Sequence, residues 1–278
     1  MNSYIGRSET QRDVADAHRL AGLAALLDRG ASPWRSGLLS PLGHWLHFIP
    51  QVRHSLIGSD GHPQRSGGGL LPAVELPQRM WAGSRIRFLR DIKIGSPIVR
   101  QSTVTAADSK VGRSGQLFFV TLRHEIAEEG DAPAIIEEQD IVFREAASPS
   151  APSVRATQTT ETAGMVIREF VPDSVMLFRF SALTFNAHRI HYDIDYSRGV
   201  ESYPGLVVQG PLMATLLLDH LLQLRPGAAI ASYTFKAVSP AFAGEPLRLG
   251  MKATAGGASL VAISPAGPSV TAEARCVD

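Results

Sequence analysis

A chain of 278 residues with 44% apolar side chains can build one large domain or two smaller ones, yet it carries no apolar run of the ~20 residues that a membrane-spanning helix requires. Its 27 Lys and Arg nearly balance 26 Asp and Glu, which excludes the one-signed field of a nucleic-acid or membrane-surface binder. The single cysteine, Cys276, excludes an intrachain disulfide and a thiolate zinc site and is read as a buried structural thiol; with no signal-peptide layout at the N-terminus, a cytoplasmic protein is expected.

Between residues 10 and 28, Val14, Ala17, Leu20, Ala21, Ala24 and Leu27 recur at three and four, with Thr10 and Asp13 as a capping pair and Gly30 beyond. This spacing predicts an amphipathic packing helix. Segments rich in β-branched and aromatic residues follow at 85–88, 98–106, 117–126 and 134–144, with turns at 110–115 and 127–133, and read as an antiparallel meander. Residues 147–158 place Pro149 and Pro152 among Ser, Ala and Thr without periodicity and read as a linker. It divides the chain into 1–146 and 159–278. The second part runs through a polar loop at 186–193 to a helix at about 211–224 and strands near 230–238, 246–254, 260–264 and 270–277. One helix followed by a curved antiparallel sheet is the hotdog arrangement.

Gly95-x-Pro97-Ile98 matches Gly244-x-Pro246-Leu247, and Thr105-Ala106 matches Thr254-Ala255, both at an offset of 149 residues; Phe88 and Phe235 precede the two copies at nearly matching distance. The common offset points to a duplicated hotdog, an α+β double hotdog. Moving the 186–191 cluster back by that offset lands at 37–42, where its pattern is missing, although His44 and His47 lie near. One active site is therefore expected, with the first half degenerate and kept for packing and for one wall of the ligand cleft.

The most informative stretch is Asn186-Ala187-His188-Arg189-Ile190-His191-Tyr192-Asp193, followed by the Gly/Pro-bounded apolar run Gly205-Leu206-Val207-Val208-Gln209-Gly210-Pro211. Imidazoles beside a helix N-terminus suit chemistry on a carbonyl, because terminal backbone N–H groups can bind a developing oxyanion and His191 can move a proton near neutral pH. His188, His191 and Asp193 also have the spacing of a metal-ligand set.

The same stretch resembles the MaoC-like hydratases, which carry a Gly-Asp-x-Asn-Pro-(Leu/Ile)-His loop before a central helix opening His-Gly. His191 falls on that family's catalytic His, His188 on the Asn, Arg189 on the Pro, Asn186 on the catalytic Asp and Gly210 on the helix-opening Gly, while Gln209 replaces the His before it. Together with Pro41-Leu42-Gly43-His44-Trp45, Arg79-Met80-Trp81-Ala82-Gly83, Lys110-Val111-Gly112-Arg113-Ser114-Gly115 and Arg123-His124-Glu125, it resembles the branch of mitochondrial-type 3-hydroxyacyl-thioester dehydratases and 3-methylfumaryl-CoA or itaconyl-CoA hydratases.

The resemblance implies a lyase that adds water to a branched C5 dicarboxylic enoyl-CoA to give citramalyl-CoA. Alternatives are a general dehydratase of straight-chain thioesters, a thioesterase and a non-catalytic acyl-CoA binder. It accounts for His188, His191 and Asp193 without a metal, so no cofactor beyond the substrate's CoA is expected. In this reading His191 is base and proton shuttle, Gly210 supplies the oxyanion N–H, and Asn186, an amide that cannot take a proton, orients water. The proton work then rests on His191 alone or with a carboxylate such as Asp193 or Asp195. His188 supports the loop, Gln209 borders the substrate, and Arg189 is the candidate guanidinium for a second carboxylate. Arg79, Trp81, Gly83, Lys110 and Arg113 are expected to line the cleft or meet the CoA phosphates. Partners are the acyl-CoA substrate and a possible second copy of the chain.

Overall fold

The computed structural model describes residues 4–30, 34–65, 69–112, 115–145 and 161–277, so the linker at 147–158 and Arg113 lie outside the described residues. Five strands form the first half: β1 (Ser8–Val14), β2 (Gln78–Phe88), β3 (Pro97–Gly112), β4 (Gly115–Glu128) and β5 (Ile135–Arg144), with one helix, α1 (Ala17–Leu26). The second half has β6 (Val166–Phe170), β7 (Ile230–Ala237), β8 (Leu247–Thr254), β9 (Gly257–Ser264) and β10 (Gly267–Cys276), with α2 (Ser174–Thr184), α3 (Ile194–Gly199) and α4 (Gly210–Leu224). None of the described helices is long and apolar enough to cross a membrane.

The helix expected over 10–28 is half strand. β1 pairs with β3 from Ser8 opposite Thr103 to Val14 opposite Pro97, and α1 begins only after Asp16, whose carboxylate accepts the His18 N–H. Ladder bonds satisfy the backbone of β1, so the helical spacing that includes Val14 is fortuitous. Asp13, expected as a cap, instead binds Arg19 and the Phe48 N–H. In the second half β6, α2 and α3 also went unread, being too short for a periodic signal. Cys276 is half-buried at the rim of the main core rather than fully inside it.

All ten strands form one antiparallel sheet in the order β1-β3-β4-β5-β2-β7-β10-β9-β8-β6. Read inward from either edge, each half follows the same order of its own first, third, fourth, fifth and second strands. The halves meet where β2 pairs with β7, and Arg85 lies directly opposite Thr234, 149 residues away. A residue opposite its own repeat equivalent marks a local two-fold axis, so the repeat offset and the strand register agree. The axis makes Ile86, not Phe88, the counterpart of Phe235. The repeated Gly95 and Gly244 both turn with positive φ, +91° and +83°, and each donates its N–H to the residue before a helix N-cap, Ala15 and Pro172. The architecture is a double hotdog.

The halves differ in what covers the sheet. In the second, α4 packs on β8, β9 and β10 and reaches β2, burying Tyr233, Leu249, Met251, Leu260, Ala272 and Ala274. Between α1 and β2 the described residues of the first half hold only the 3-10 turns Gly43–Leu46 and His54–Leu56 and irregular chain, with no counterpart of α4. Strand register places Ser84, Arg100, Ser102, His124, Glu137 and Gln139 at the positions equivalent to those six apolar residues. The first half has thus exchanged a helix-covered apolar face for a polar one, and a cavity of about 2130 Å³ occupies the uncovered space.

Candidate active site

The loop at 186–193 is held from both ends. α2 stops at Phe185 in the left-handed region (φ 52°), and the Asn186 N–H donates to the Ser181 carbonyl. The Asn186 side-chain oxygen accepts the His188 N–H at 3.1 Å, closing an Asx turn. A 3-10 turn, Arg189–His191, follows, and Asp193 caps α3 by accepting the Tyr196 N–H. Behind the loop Ile190, Tyr196, Val207 and Phe242 form a small buried cluster, with the Val207 N–H on the Ile190 carbonyl.

That cluster brings the Val207 carbonyl to His191. Nδ1 of the ring donates to it at 2.7 Å, so Nε2 is the free acceptor. His191 is buried yet lines the cavity, and burial holds it well below the ordinary imidazole range, at about 4, against the opposing Val207 bond. It is therefore a neutral acceptor over the physiological range.

Two residues past Val207, Gln209 stands at the N-cap of α4, and its side chain turns away from the helix end. Its side-chain amide donates to the Leu177 carbonyl and the Ser181 hydroxyl, both at 3.0 Å, while its buried oxygen has no partner among the described residues. Gly210 and Pro211 follow as the first helical residues. The Gly210 N–H has no intrahelical acceptor and sits at the positive end of a 15-residue helix. The nearest atom to a side chain at Gly210 would be the Trp81 carbonyl oxygen, at 3.8 Å, so the strand β2 forms the facing wall.

The first half supplies a second wall that the sequence reading missed. The turn Ser59-Asp60-Gly61-His62 docks on the 186–193 loop through the Arg189 N–H, which donates to the Asp60 carbonyl at 2.9 Å. Gly61 has a φ of +90°, and a Cβ there would lie 1.8 Å from the Ala187 oxygen, so only glycine permits this approach. The Asp60 carboxylate accepts the His62 N–H and the His62 ring N–H, at 2.9 and 3.2 Å. The His62 ring lies 4.3 Å from that of His188, which meets His191 edge-on at 5.4 Å. Burial raises the Asp60 carboxyl, but the bonds from His62 outweigh it and leave it at about 2. Burial pulls His62 down as well, and it takes His188 to about 2.

The remaining candidates divide. Trp81 and Arg79 line the cavity; Trp81 packs edge-on against Trp45 at 5.1 Å, and Arg79 is half-buried with no ion pair or hydrogen bond among the described residues. Burial pulls the Arg79 guanidinium down to about 10. Arg189 does not serve as expected. It spends Nε and Nη2 on Asp193 at 3.0 and 2.7 Å, Nη1 on the Ser59 carbonyl, and lies over the Tyr196 ring, so it clamps the loop instead of presenting a free fork. That pairing also consumes Asp193, and Asp195 is exposed on α3, which corrects the expectation that either serves the imidazoles. Gly83 is a packing glycine: a Cβ would meet the Phe235 oxygen at 2.4 Å where β2 and β7 pair. Lys110 is at the far end of the β3–β4 hairpin, over the Phe119 ring, and does not line the cavity. His47, the nearest relic of a second motif, is structural: it accepts the Asp16 N–H and donates to the Gly43 carbonyl.

Beyond Trp45 and Trp81 the cavity ends on the polar face of the first half. Glu137, fully enclosed, accepts from His44 at 2.9 Å and Trp45 at 3.0 Å, and the His44 bond together with His124 and Ser84 holds its carboxyl near 2 against the opposing effect of burial. His124 bridges Ser102 and Gln139, and the buried Nε of Arg100 has no partner among the described residues. A long cavity with imidazoles and a helix N-terminus midway and polar groups at its end can take an extended thioester and place its carbonyl at Gly210.

Comparison with known proteins agrees with this arrangement. Residues 42–243 match the family described as hydroxyacyl-thioester dehydratase type 2. The chain is 42% identical over 248 residues, 89% of its length and 87% of the relative's, to a mesaconyl-C(4)-CoA hydratase of Chloroflexus aurantiacus. It is 25% identical over 233 residues, 76% and 77% of the two chains, to the mitochondrial hydroxyacyl-thioester dehydratase type 2 of Schizosaccharomyces pombe. Among solved structures, a MaoC-like dehydratase superposes with a TM-score of 0.74 at 12% identity, covering 100% of this chain and 99% of the other, a likeness of fold.

Proposed function

The chain belongs to the hydroxyacyl-thioester dehydratase type 2 family of MaoC-like proteins, and from that membership we propose that it hydrates a branched C5 dicarboxylic enoyl-CoA, 3-methylfumaryl-CoA, to citramalyl-CoA. Members of this family are carbon–oxygen lyases acting on acyl thioesters. Mesaconyl is the acyl group of methylfumaric acid, so the 42% identical relative carries the name of this substrate. Itaconyl-CoA is the second candidate, but its double bond is not conjugated with the thioester carbonyl, so adding water to it would leave no charge for an oxyanion site to bind.

The observation that carries the reading is the pairing of a free His191 Nε2 with the open Gly210 N–H in one cavity. A water held by His191 adds its oxygen to Cβ as one of its protons passes to an imidazole of the site, which later supplies the proton for Cα. The C=C electron pair moves onto the thioester oxygen, where Gly210 and the α4 dipole stabilise it, and the enolate collapses as Cα takes a proton. Asn186 shapes the loop with its oxygen and keeps its N–H donors for the water. His188 and Gln209 fix the walls. Arg79, half-buried in the cavity and without a hydrogen bond or ion pair among the described residues, receives the second carboxylate in the place first assigned to Arg189. No cofactor is needed beyond the CoA that the substrate brings.

One observation favours a second reading. With Arg189 committed to Asp193, a straight-chain 3-hydroxyacyl-thioester dehydratase using the same His191 and Gly210 remains the alternative. Loss of the enoyl-thioester absorbance with 3-methylfumaryl-CoA and crotonyl-CoA, and appearance of citramalyl-CoA by chromatography with itaconyl-CoA, run beside His191→Ala, decide between them. Preference for 3-methylfumaryl-CoA with at least a ~10²-fold loss in the variant supports the proposal. Preference for crotonyl-CoA supports the dehydratase, and no turnover of any overturns both.

A further inference from the structure

A hydration needs a group that takes a proton from water, and position 186, where related sites carry a carboxylate, holds an amide. His191 is an acceptor, but among the described residues its buried ring has no bonded carboxylate to stabilise an imidazolium; its second nitrogen rests on a neutral carbonyl. Two carboxylate–imidazole pairs border the cavity. Glu137–His44 stands behind Trp45, whose indole also binds that carboxylate. Asp60–His62 stands against the 186–193 loop itself, tied to it by the Arg189 N–H and by the close approach of Gly61 to Ala187.

We propose that His62, oriented by Asp60, performs the acid–base role that a carboxylate at position 186 would fill. The inference rests on the hydratase reading above. Asp60 is ionised and accepts from Nδ1 of His62, which leaves Nε2 as the acceptor and places a negative charge behind the ring. That is the arrangement in which an imidazole takes a proton while a carboxylate offsets the charge formed. As the water oxygen bonds to Cβ, its proton passes to His62, and His191 holds the remaining O–H. The C=C pair becomes the enolate, and the His62 imidazolium returns a proton to Cα, restoring the thioester carbonyl and the neutral ring. Atoms and charge balance with water as the sole co-reactant. The first half, whose own site is lost, thus lends the second an acid–base pair.

The test is steady-state kinetics of the full chain on whichever enoyl-CoA the wild type hydrates, so that an inactive wild type indicts the function and not this inference. His62→Gln is expected to lower kcat by ~10²-fold or more with KM changed less than ~3-fold and the melting temperature retained. Asp60→Asn keeps an oxygen for His62 but loses the charge, and is expected to lower kcat by ~10-fold. The decisive variant is the double, His62→Gln with Asn186→Asp, in which a carboxylate returns to the loop. Recovery of at least ~10-fold in kcat over His62→Gln supports the proposal. A near-normal rate in His62→Gln overturns it, as does a slow His62→Gln that Asn186→Asp does not improve, since that outcome marks His62 as structural.

Discussion

Nδ1 of His191 donates to the Val207 carbonyl at 2.7 Å, and this one bond sets both the tautomer and the aim of the ring. Burial then holds the imidazole at about 4, so it is neutral where an ordinary histidine would be half-protonated. The expected pH profile of kcat/KM is level through pH 6.5 and turns down only below it, because burial holds both His62 and His191 under the ordinary imidazole range. A half-maximum near 6.5 would place the acting imidazole in water rather than in this pocket.

Folding stability should fall at mildly acidic pH. Burial depresses six of the nine histidines, His47, His62, His124, His188, His191 and His220. Below about 6.5 the unfolded chain binds protons at these rings that the folded chain refuses, so the unfolded state gains and stability drops as pH falls. Carboxylates ordinarily titrate only lower, toward 4, so the imidazoles dominate the window between pH 6.5 and 5, opposed there by Glu201, whose carboxyl burial raises. Melting temperatures measured across it should decline steadily; a flat response would mean the rings are solvated.

Gly210→Pro removes the N–H, and because residue 210 is helical and itself precedes Pro211, Gly210→Ala is the control for any side chain's strain there. Proline suits the first helical position, and Gln209 before it is already extended (φ −60°, ψ 132°), as a residue preceding proline must be. The variant should melt within a few degrees of the wild type while losing ~10²–10³-fold in kcat, the effect of deleting an oxyanion donor. Unchanged kcat would remove Gly210 from the reaction.

Gly61→Ala tests the docking of the two halves. The added carbon would sit 1.8 Å from the Ala187 oxygen at a φ of +90°, so the Asp60–His62 turn must lift off the 186–193 loop. A destabilisation of about 1–3 kcal/mol in denaturant titration, together with lost activity, is expected. Wild-type stability and rate would show that the approach is unnecessary.

Arg79 and Arg189 should behave oppositely. Arg79→Met is expected to raise KM for 3-methylfumaryl-CoA by ~10-fold or more, the worth of a charge-assisted bond, and to leave KM for crotonyl-CoA alone. Arg189→Ala should leave the ratio of the two substrates unchanged, because its guanidinium serves Asp193 and Ser59. A shift in selectivity with Arg189 but not Arg79 would reverse their roles.

Much of the site was readable along the chain because it is local. His188, Arg189 and His191 share one turn, and Gly210 opens a helix whose apolar run and Gly-Pro start are sequence signals in themselves. The strands at 98–106, 117–126 and 134–144 were read from their β-branched and aromatic composition between turns and form the hairpins β3-β4-β5, and the last four strands were placed as well, whereas the first strand of the expected meander, β2, pairs with β5 instead of β3. What failed were elements whose pairing overrides their pattern, as at Val14 in β1, and elements of five to eleven residues such as β6, α2 and α3.

By itself the sequence determined the duplication, since an offset of 149 residues reappears as Arg85 opposite Thr234, and it determined the 186–193 loop and the helix after it, because both depend on neighbours within a few residues. Only the tertiary structure decided which charges are free. Arg189 is neutralised by Asp193 four residues on, while Arg79 has no ion pair or hydrogen bond among the described residues, and Asp60 with His62 reaches His188 from more than 120 residues away. Pairing and burial of polar groups depend on which surfaces meet. The missing helix of the first half, which opened the cavity and left Arg100, His124 and Glu137 facing it, set those meetings through contacts that local periodicity does not carry.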